Sequence, residues 1–338
     1  MNATPRRWFS ARPVSHFLLA AGLLGASPGS AWAVGEGKGK APIQQVECSV
    51  DSMINDVRLG LKKGSAAYRK YLKNLLREAS VSIPFEQLRS AFEQERDPEM
   101  VEALGGALAA RSSRNADPQQ ISPVLARINN ESDPTARAAA VRGLRGIGSV
   151  EFIGKIGGLS YEKLMRDPSP EVREAVVGNL VEENTKIYYG HDKATAETAV
   201  SAALGASDTK LAAKLLREVS MEQVSHQTVQ QLSQNIHTED PTMREATVKA
   251  LGGVPGTESA SVRNEIIDLY RNDKDPHVRQ AALESIARLG MGGSIATLES
   301  LRSVDPSQSK EIDAWIAALK TGLQEWSLVQ REKQRLLK

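Results

Sequence analysis

NDKDPHVRQAALESIARLGM (272–291) sets an arginine, Arg279, four residues after Asp275, in the middle of what otherwise reads as the apolar side of a helix. The same spacing recurs in DPTARAAAVRGLRGIG (133–148), with Arg137, and in DPTMREATVKALGGVPG (240–256), with Arg244. A stretched version, DPSPEVREAVVGNLVEE (167–183), carries Arg173. In each copy the aspartate suits the N-cap, where its carboxylate accepts free backbone N–H groups, and the proline suits the first helical position, which needs no N–H. Counted from the arginine, alanine recurs two places on (Ala139, Ala175, Ala246, Ala281). Val or Leu recurs four places on (Val141, Val177, Val248, Leu283), and Leu or Ile seven places on (Leu144, Leu180, Leu251, Ile286). Glycines Gly146, Gly252 and Gly290 follow as C-caps.

The arginines stand 36, 71 and 35 residues apart, so the double interval predicts a degenerate copy between Arg173 and Arg244. DTKLAAKLLREV (208–219) fills it, with Ala212 in the arginine's place, and DPEMVEALGGALA (97–109) is an earlier copy with Val101 there. A period of about 35 residues is that of a solenoid of helical pairs. Amphipathic, more polar segments precede the copies at 85–96, 121–132, 157–166, 228–239 and 261–272, and read as outer helices. On a wheel of about 100° per residue, Val278, Ala281, Ala282, Leu283, Ile286 and Leu289 span roughly 200°, wider than a surface helix needs. That is a helix packed between two neighbours, and Arg279 falls inside its apolar arc.

A guanidinium so placed needs a partner, because an unpaired buried charge is prohibitively costly. Two arrangements satisfy it. One is a ladder from repeat to repeat through Asp133, Arg137, Asp167, Arg173, Asp240, Arg244, Asp275 and Arg279, with aspartates and loop carbonyls of adjacent turns as acceptors. The other is an arginine that reaches water from its own helix. The ladder is the expected arrangement, and its role is register between stacked units.

The Asp-Pro-x-x-Arg-x-Ala-Ala-x-x-x-Leu pattern resembles the HEAT repeats, particularly the short HEAT-like form also found in phycobiliprotein lyases. The resemblance spans about 81–304 and is closest in the copies with Arg137, Arg244 and Arg279. It implies an all-α, right-handed α-solenoid of stacked two-helix repeats, with helical caps at both ends. It also implies a scaffold or binding module whose motif residues are structural. The expected organisation is a signal peptide (1–33), a flexible linker (34–43), an N-terminal helical cap (44–80), the solenoid (81–304) and a C-terminal capping helix (305–338).

The leader carries Arg6 and Arg7, an apolar core HFLLAAGLLGA (16–26) and Ala31-Trp32-Ala33, as a secretory signal cleaved near Ala33 would. Its core is too short to span a bilayer. RRWF (6–9) partly matches a twin-arginine signal, but its flanks (Pro5, Ser10) fit ordinary secretion better. Export to the periplasm or outside the cell is the expectation. The formal charge of +2 belongs to this leader, since the remainder holds 40 basic against 41 acidic residues. Such a balance lacks the signature of a nucleic-acid binder. The single cysteine, Cys48, cannot form an internal disulfide.

Catalytic patterns are lacking. A HEAT-like relative, deoxyhypusine hydroxylase, holds two irons with repeated His-Glu pairs, and this sequence contains no His-Glu dipeptide. The lyase relatives act in the cytoplasm on bilin-carrying subunits, which does not suit an exported chain. GEGKGK (35–40) lacks the ending of a phosphate loop, and no Gly-x-Ser-x-Gly elbow occurs. No cofactor, metal site or catalytic residue is assigned.

Three features could bind. The inner helices should line a concave face with Arg142, Arg145, Lys249, Glu284 and Arg288 toward solvent. NTKIYYGHDKATAE (184–197) is longer than a turn, and Tyr188 and Tyr189 at its tip either recognise a partner or tuck onto the next repeat. EIDAWIAALKTGLQEWSLVQREKQRLLK (311–338) reads as one long helix with Ile312, Trp315, Leu319, Leu323 and Trp326 as its stripe, capping the solenoid. Its acids Glu311, Asp313, Glu325 and Glu332 dilute its basic face and weigh against membrane attachment. The sequence therefore reads as an exported, non-enzymatic scaffold or adaptor that binds a protein partner through its concave face. The alternative is an enzyme subunit or maturation factor of the HEAT-like lyase type.

Overall fold

Helix starts set the architecture. Asp97, Asp133, Asp208, Asp240 and Asp275 each cap a helix, their carboxylates accepting from Met100 N (3.2 Å), Thr135 N (3.0 Å), Leu211 N (3.1 Å), Thr242 N (2.7 Å) and His277 N (2.8 Å). Four of these caps are followed by proline at the first helical position. The computed structural model describes residues 49–146, 149–185 and 193–338, and within them every regular element is helical. The leader, the linker, Cys48, Tyr188 and Tyr189 lie outside the described residues.

The helices form antiparallel pairs. α1 (Val50–Lys63) precedes α2 (Ala66–Ala79), α3 (Phe85–Gln94) precedes α4 (Pro98–Asn115), and α5 (Ser122–Asn130) precedes α6 (Pro134–Gly143). The next outer position is split between α7 (Ser149–Ile156) and the single turn α8 (Tyr161–Leu164), before α9 (Pro170–Thr185). Then come α10 (Lys193–Leu204) with α11 (Thr209–Glu218), α12 (His226–Asn235) with α13 (Pro241–Leu251), and α14 (Ser259–Asn272) with α15 (Pro276–Gly290). α16 (Ile295–Val304), α17 (Ser309–Lys320) and α18 (Trp326–Leu337) complete the chain.

The second helices of the pairs, α2, α4, α6, α9, α11, α13 and α15, stack each on the next as an inner row. Their burial matches that position. α13 buries Ala246, Thr247, Val248, Ala250 and Leu251, whereas its outer partner α12 buries only Thr228, Val229 and Leu232. The fold is an all-helical α-solenoid with one continuous apolar core running from Ile54 in α1 to Val329 in α18.

Small residues let the inner helices approach closely. A Cβ on Gly143 of α6 would come within 3.0 Å of Gly106 N and 3.1 Å of Glu102 O, so α6 crosses α4 backbone against backbone.

The structure differs from the sequence reading in four places. The copy at 167–183 is not stretched: its helix starts at Pro170, and Arg173 is the fourth helical residue, as in the other copies. The 311–338 segment is two helices, broken where Gly322 takes φ 75°, and Trp315 stacks on Trp326 at 5.2 Å across the break. Of the three predicted glycine caps, Gly146 has positive φ (74°), while Gly252 remains right-handed and it is Met291, after Gly290, that takes a positive φ (46°). On α2 the sequence sets Tyr68, Leu72, Leu75, Leu76 and Ala79 on one face, as a buried stripe would be, yet Tyr68 and Leu75 are exposed.

Gly143→Val places a branched side chain against the α4 backbone and is expected to lower stability by about 1–3 kcal/mol. The check is a fall in the urea midpoint with an unchanged slope.

Candidate functional site

The arginine of each repeat occupies one register. Counting the cap as zero, Arg137, Arg173, Arg244 and Arg279 all stand at position four. Three of them use one terminal nitrogen to bind the carbonyls of the turn before their own helix. Arg137 Nη1 donates to Glu131 O (3.0 Å) and Ser132 O (3.3 Å), Arg173 Nη1 to Asp167 O (2.7 Å) and Pro168 O (3.1 Å), and Arg244 Nη1 to Thr238 O (2.9 Å) and Glu239 O (2.8 Å). The rest of the guanidinium reaches the following repeat. Arg137 Nη2 lies 2.8 Å from Asp167 Oδ1, and Arg244 Nε lies 2.7 Å from Asp273 Oδ2. Arg173 reaches Asp208 at 3.5 Å, and Arg279 reaches Asp305 at 3.2 Å.

The acceptors are those expected in part: Asp167 and the loop carbonyls serve, whereas the other three aspartates of the expected ladder do not. Asp133, Asp240 and Asp275 cap their own helices and bind no ladder arginine. An N-cap carboxylate is already occupied by backbone N–H groups. The acid two residues earlier is free to face the preceding repeat, and there Asp167 and Asp273 stand, each also holding the backbone N–H two residues on (Ser169, 2.9 Å; Asp275, 2.8 Å). Arg173 meets the cap Asp208 because Ala206 occupies the earlier position. Where the arginine is lost, at Ala212, the opposing position is the uncharged Thr238.

The groove-side face of the inner row holds a second set of charges. Its N-terminal part is a depression of about 510 Å³. There Lys73 Nζ sits 2.8 Å from both Glu99 and Glu102, and Arg142 Nε donates to Glu102 at 3.2 Å. Burial would raise the Glu99 carboxyl, but Lys73, Arg69 and Arg142 outweigh it and hold the group below its ordinary value. Arg145 Nε donates to Asn179 (3.0 Å), whose amide donates to Val141 O (2.6 Å). Arg77 lies flat on Gly106 and reaches Gly143 O at 3.3 Å; burial first, and Arg145 beside it, lower its affinity for its proton against the pull of Glu102 and Glu182.

Further along, Glu245 of α13 is held by Arg217 (2.6 Å) and Lys249 (2.8 Å). Glu284 and Arg288 face the same groove but are engaged by the chain itself: Gln330 donates to Glu284 at 2.7 Å, and the Arg288 guanidinium lies 6.0 Å from the Trp326 ring. α18 thus covers the C-terminal end of the face. Of the predicted binding residues, Arg142 and Arg145 border the open depression, Lys249 lies beside the covered end, and Tyr188 and Tyr189 are outside the described residues.

Sequence reasoning missed Lys73, Arg77, Glu99, Glu102 and Glu245. A signal existed for the two pairing acids: Glu102 and Glu245 stand five residues after their caps, and Arg142, Arg217 and Lys249 stand nine after theirs. Residues four apart share a helix face, so these two columns line one groove.

Residues 229–320 match the family model described as HEAT repeats. This stretch is similar to HEAT repeats. No curated protein matches the chain. The match covers α13 and α15 with their ladder arginines, and the same cap register recurs N-terminal to it as far as Asp97. Among the described residues, no group of three or more His, Cys, Asp and Glu is placed to hold a metal ion, and no helix is long and apolar enough to cross a membrane.

Arg244→Leu leaves Asp273, whose side chain is 4% exposed, without its cation. A loss of about 2–4 kcal/mol is expected by denaturant titration. The exposed pair Arg302–Asp313 serves as the control, where Arg302→Leu costs less than about 1 kcal/mol. Glu245, raised by burial but lowered further by Lys249 and Arg217, lies below its ordinary value of 4.5. A carboxyl depressed in the folded state binds fewer protons there than in the unfolded chain, so its stabilisation is present above pH 4.5 and is lost as pH falls through the folded value. Thermal melts from pH 6 to about pH 3 should show a shallower acid decline for Glu245→Gln than for the parent chain.

Proposed function

We propose that the chain is an exported, non-catalytic scaffold or adaptor that binds a protein partner through the groove of its inner helices. The observation that carries this reading is the N-terminal depression. It is bordered by six cations (Arg69, Lys70, Lys73, Arg77, Arg142, Arg145) against three acids (Glu99, Glu102, Glu182), in a protein whose overall charge is nearly balanced. Glycine on the inner helices sharpens the groove, because Arg77 and Arg145 lie flat on Gly106 and Gly178 where a Cβ would displace them. Guanidinium planes so held present their donors to an acidic or carbonyl-rich surface. Recognition then rests on shape and charge across the groove, as in other solenoid scaffolds. The leader supports export, and the partner would be met in the periplasm or outside the cell.

A photo-crosslinking side chain at Asn74, which lines the depression, should trap a partner in intact cells, whereas the same group at Gln231 on exposed α12 should not. Arg69→Glu with Lys70→Glu should reduce the trapped adduct at least about tenfold. Equal trapping at both sites, or an adduct indifferent to the charge reversal, overturns the reading.

A further inference from the structure

Among the described residues α2 begins the inner row, and its outward side is not polar. Tyr68, Tyr71 and Leu75 are 49%, 58% and 42% exposed, on the face opposite α4. α4 sits where Lys73 meets Glu99 and Glu102 and where Arg77 meets Gly106. At about 100° per residue the exposed stripe lies roughly half a turn from those contacts. It therefore occupies the position on which a preceding inner helix would stack. The rings are held rather than loose: Tyr68 and Tyr71 stack with centroids 6.3 Å apart, and Tyr68 packs so closely on α1 that a Cβ on Gly60 or Gly64 would fall 3.2 or 2.6 Å from its ring. Leu59 of α1, 55% exposed, adds to the apolar area. Terminal units of a solenoid ordinarily turn a polar face outward.

The surroundings of the stripe are basic. The hairpin 50–79 holds seven basic residues and three acids; with Arg58, Arg69 and Lys73 paired to Glu95, Glu99 and Glu102, and Glu78 paired to Arg114, the remaining charges are Lys62, Lys63, Lys70 and Arg77 against Asp51 and Asp56. Lys62 and Lys63 flank Leu59, and Lys70 stands beside Tyr71. A second copy docking here through the same face would oppose like charges. Docking through its other end would bring the α17–α18 segment, 309–338, with six basic residues and four acids, which is also net positive.

We infer that this end of the solenoid receives an amphipathic helix of a partner protein. Its apolar stripe stacks on Tyr68, Tyr71 and Leu75, and its flanking glutamates and aspartates meet Lys62, Lys63 and Lys70. The helix stacks on α2 as a further member of the inner row. The apolar contacts of this site lie on the opposite side of α2 from Lys73 and Arg77; Lys70 borders both sites, so the test turns on Leu75, which the groove does not use.

The test uses the whole protein and a labelled synthetic amphipathic peptide of about four helical turns, with leucines at i, i+3 and i+7 spacing and glutamates flanking them. Fluorescence anisotropy should show binding that weakens at least about tenfold when the glutamates are replaced by lysines, and again with Leu75→Glu. Val304→Glu, at an exposed apolar position far along the chain, should leave binding unchanged, and circular dichroism should show all variants equally helical. Equal binding of both peptides, or an equal loss with Val304→Glu, overturns the inference. So does a dimer in sedimentation that Leu75→Glu dissolves, which makes a second copy the occupant. Binding to phosphatidylglycerol vesicles that Leu75→Glu abolishes, without peptide binding, makes it a bilayer and also overturns the inference.

Discussion

A cation placed where the chain is being packed away from water constrains everything around it. At the fourth position of an inner helix, the guanidinium can neither withdraw to solvent nor lose its proton. Its donors turn to whatever lies within reach, although Nε of Arg173 and of Arg279 finds no partner. The turn before its own helix supplies two carbonyls, and the next repeat supplies a carboxylate. One side chain thus fixes the shape of a turn and the spacing to a neighbour. The apolar contacts supply most of the stabilisation, but they tolerate sliding. The directional bonds of the arginine do not, and they set the register.

The same economy explains the small residues. Alanine at the position two beyond the arginine, and glycine at the crossing of α6 on α4, bring backbones close enough for a guanidinium to span one layer and reach the next. Bulky side chains there would widen the layers and leave the arginine short of its acceptor. Composition, close stacking and the ion-pair ladder are one arrangement seen at three scales.

Much of this could be read from the chain. Asp-Pro caps, the period of about 35 and the wide apolar arc around Val278 give a helical solenoid without coordinates. The acceptors were harder to read, because the Asp-Pro aspartate draws the eye and is already committed to backbone N–H groups. The column two residues earlier (Glu95, Glu131, Asp167, Ala206, Thr238, Asp273) carries the partners of Arg137 and Arg244 one repeat on, at Asp167 and Asp273, but it is broken at Ala206, which faces Arg173, and at Glu131, which faces Val101. The groove pairs were hidden for a similar reason, since Arg142 and Glu102 are 40 residues apart in different units. The break at Gly322 was masked by a heptad-like stripe that continues through it, and only the stacking of Trp315 on Trp326 shows that the stripe folds back on itself. The exposed tyrosines of α2 mislead in the opposite way, because an apolar face reads as buried whether or not a neighbour covers it.

The gap in the ladder at Ala212 has a mechanical result. Between α11 and α13 no arginine at the fourth position joins the layers on the turn side, yet Arg217 and Glu245 join them on the groove side. Every other junction from α6 to α15 is fastened along the turn edge. A flexing load that stretches the turn edge is resisted by ionic clasps at its neighbours and by apolar cohesion alone at this junction. This junction is in this respect fastened on the side opposite to its neighbours.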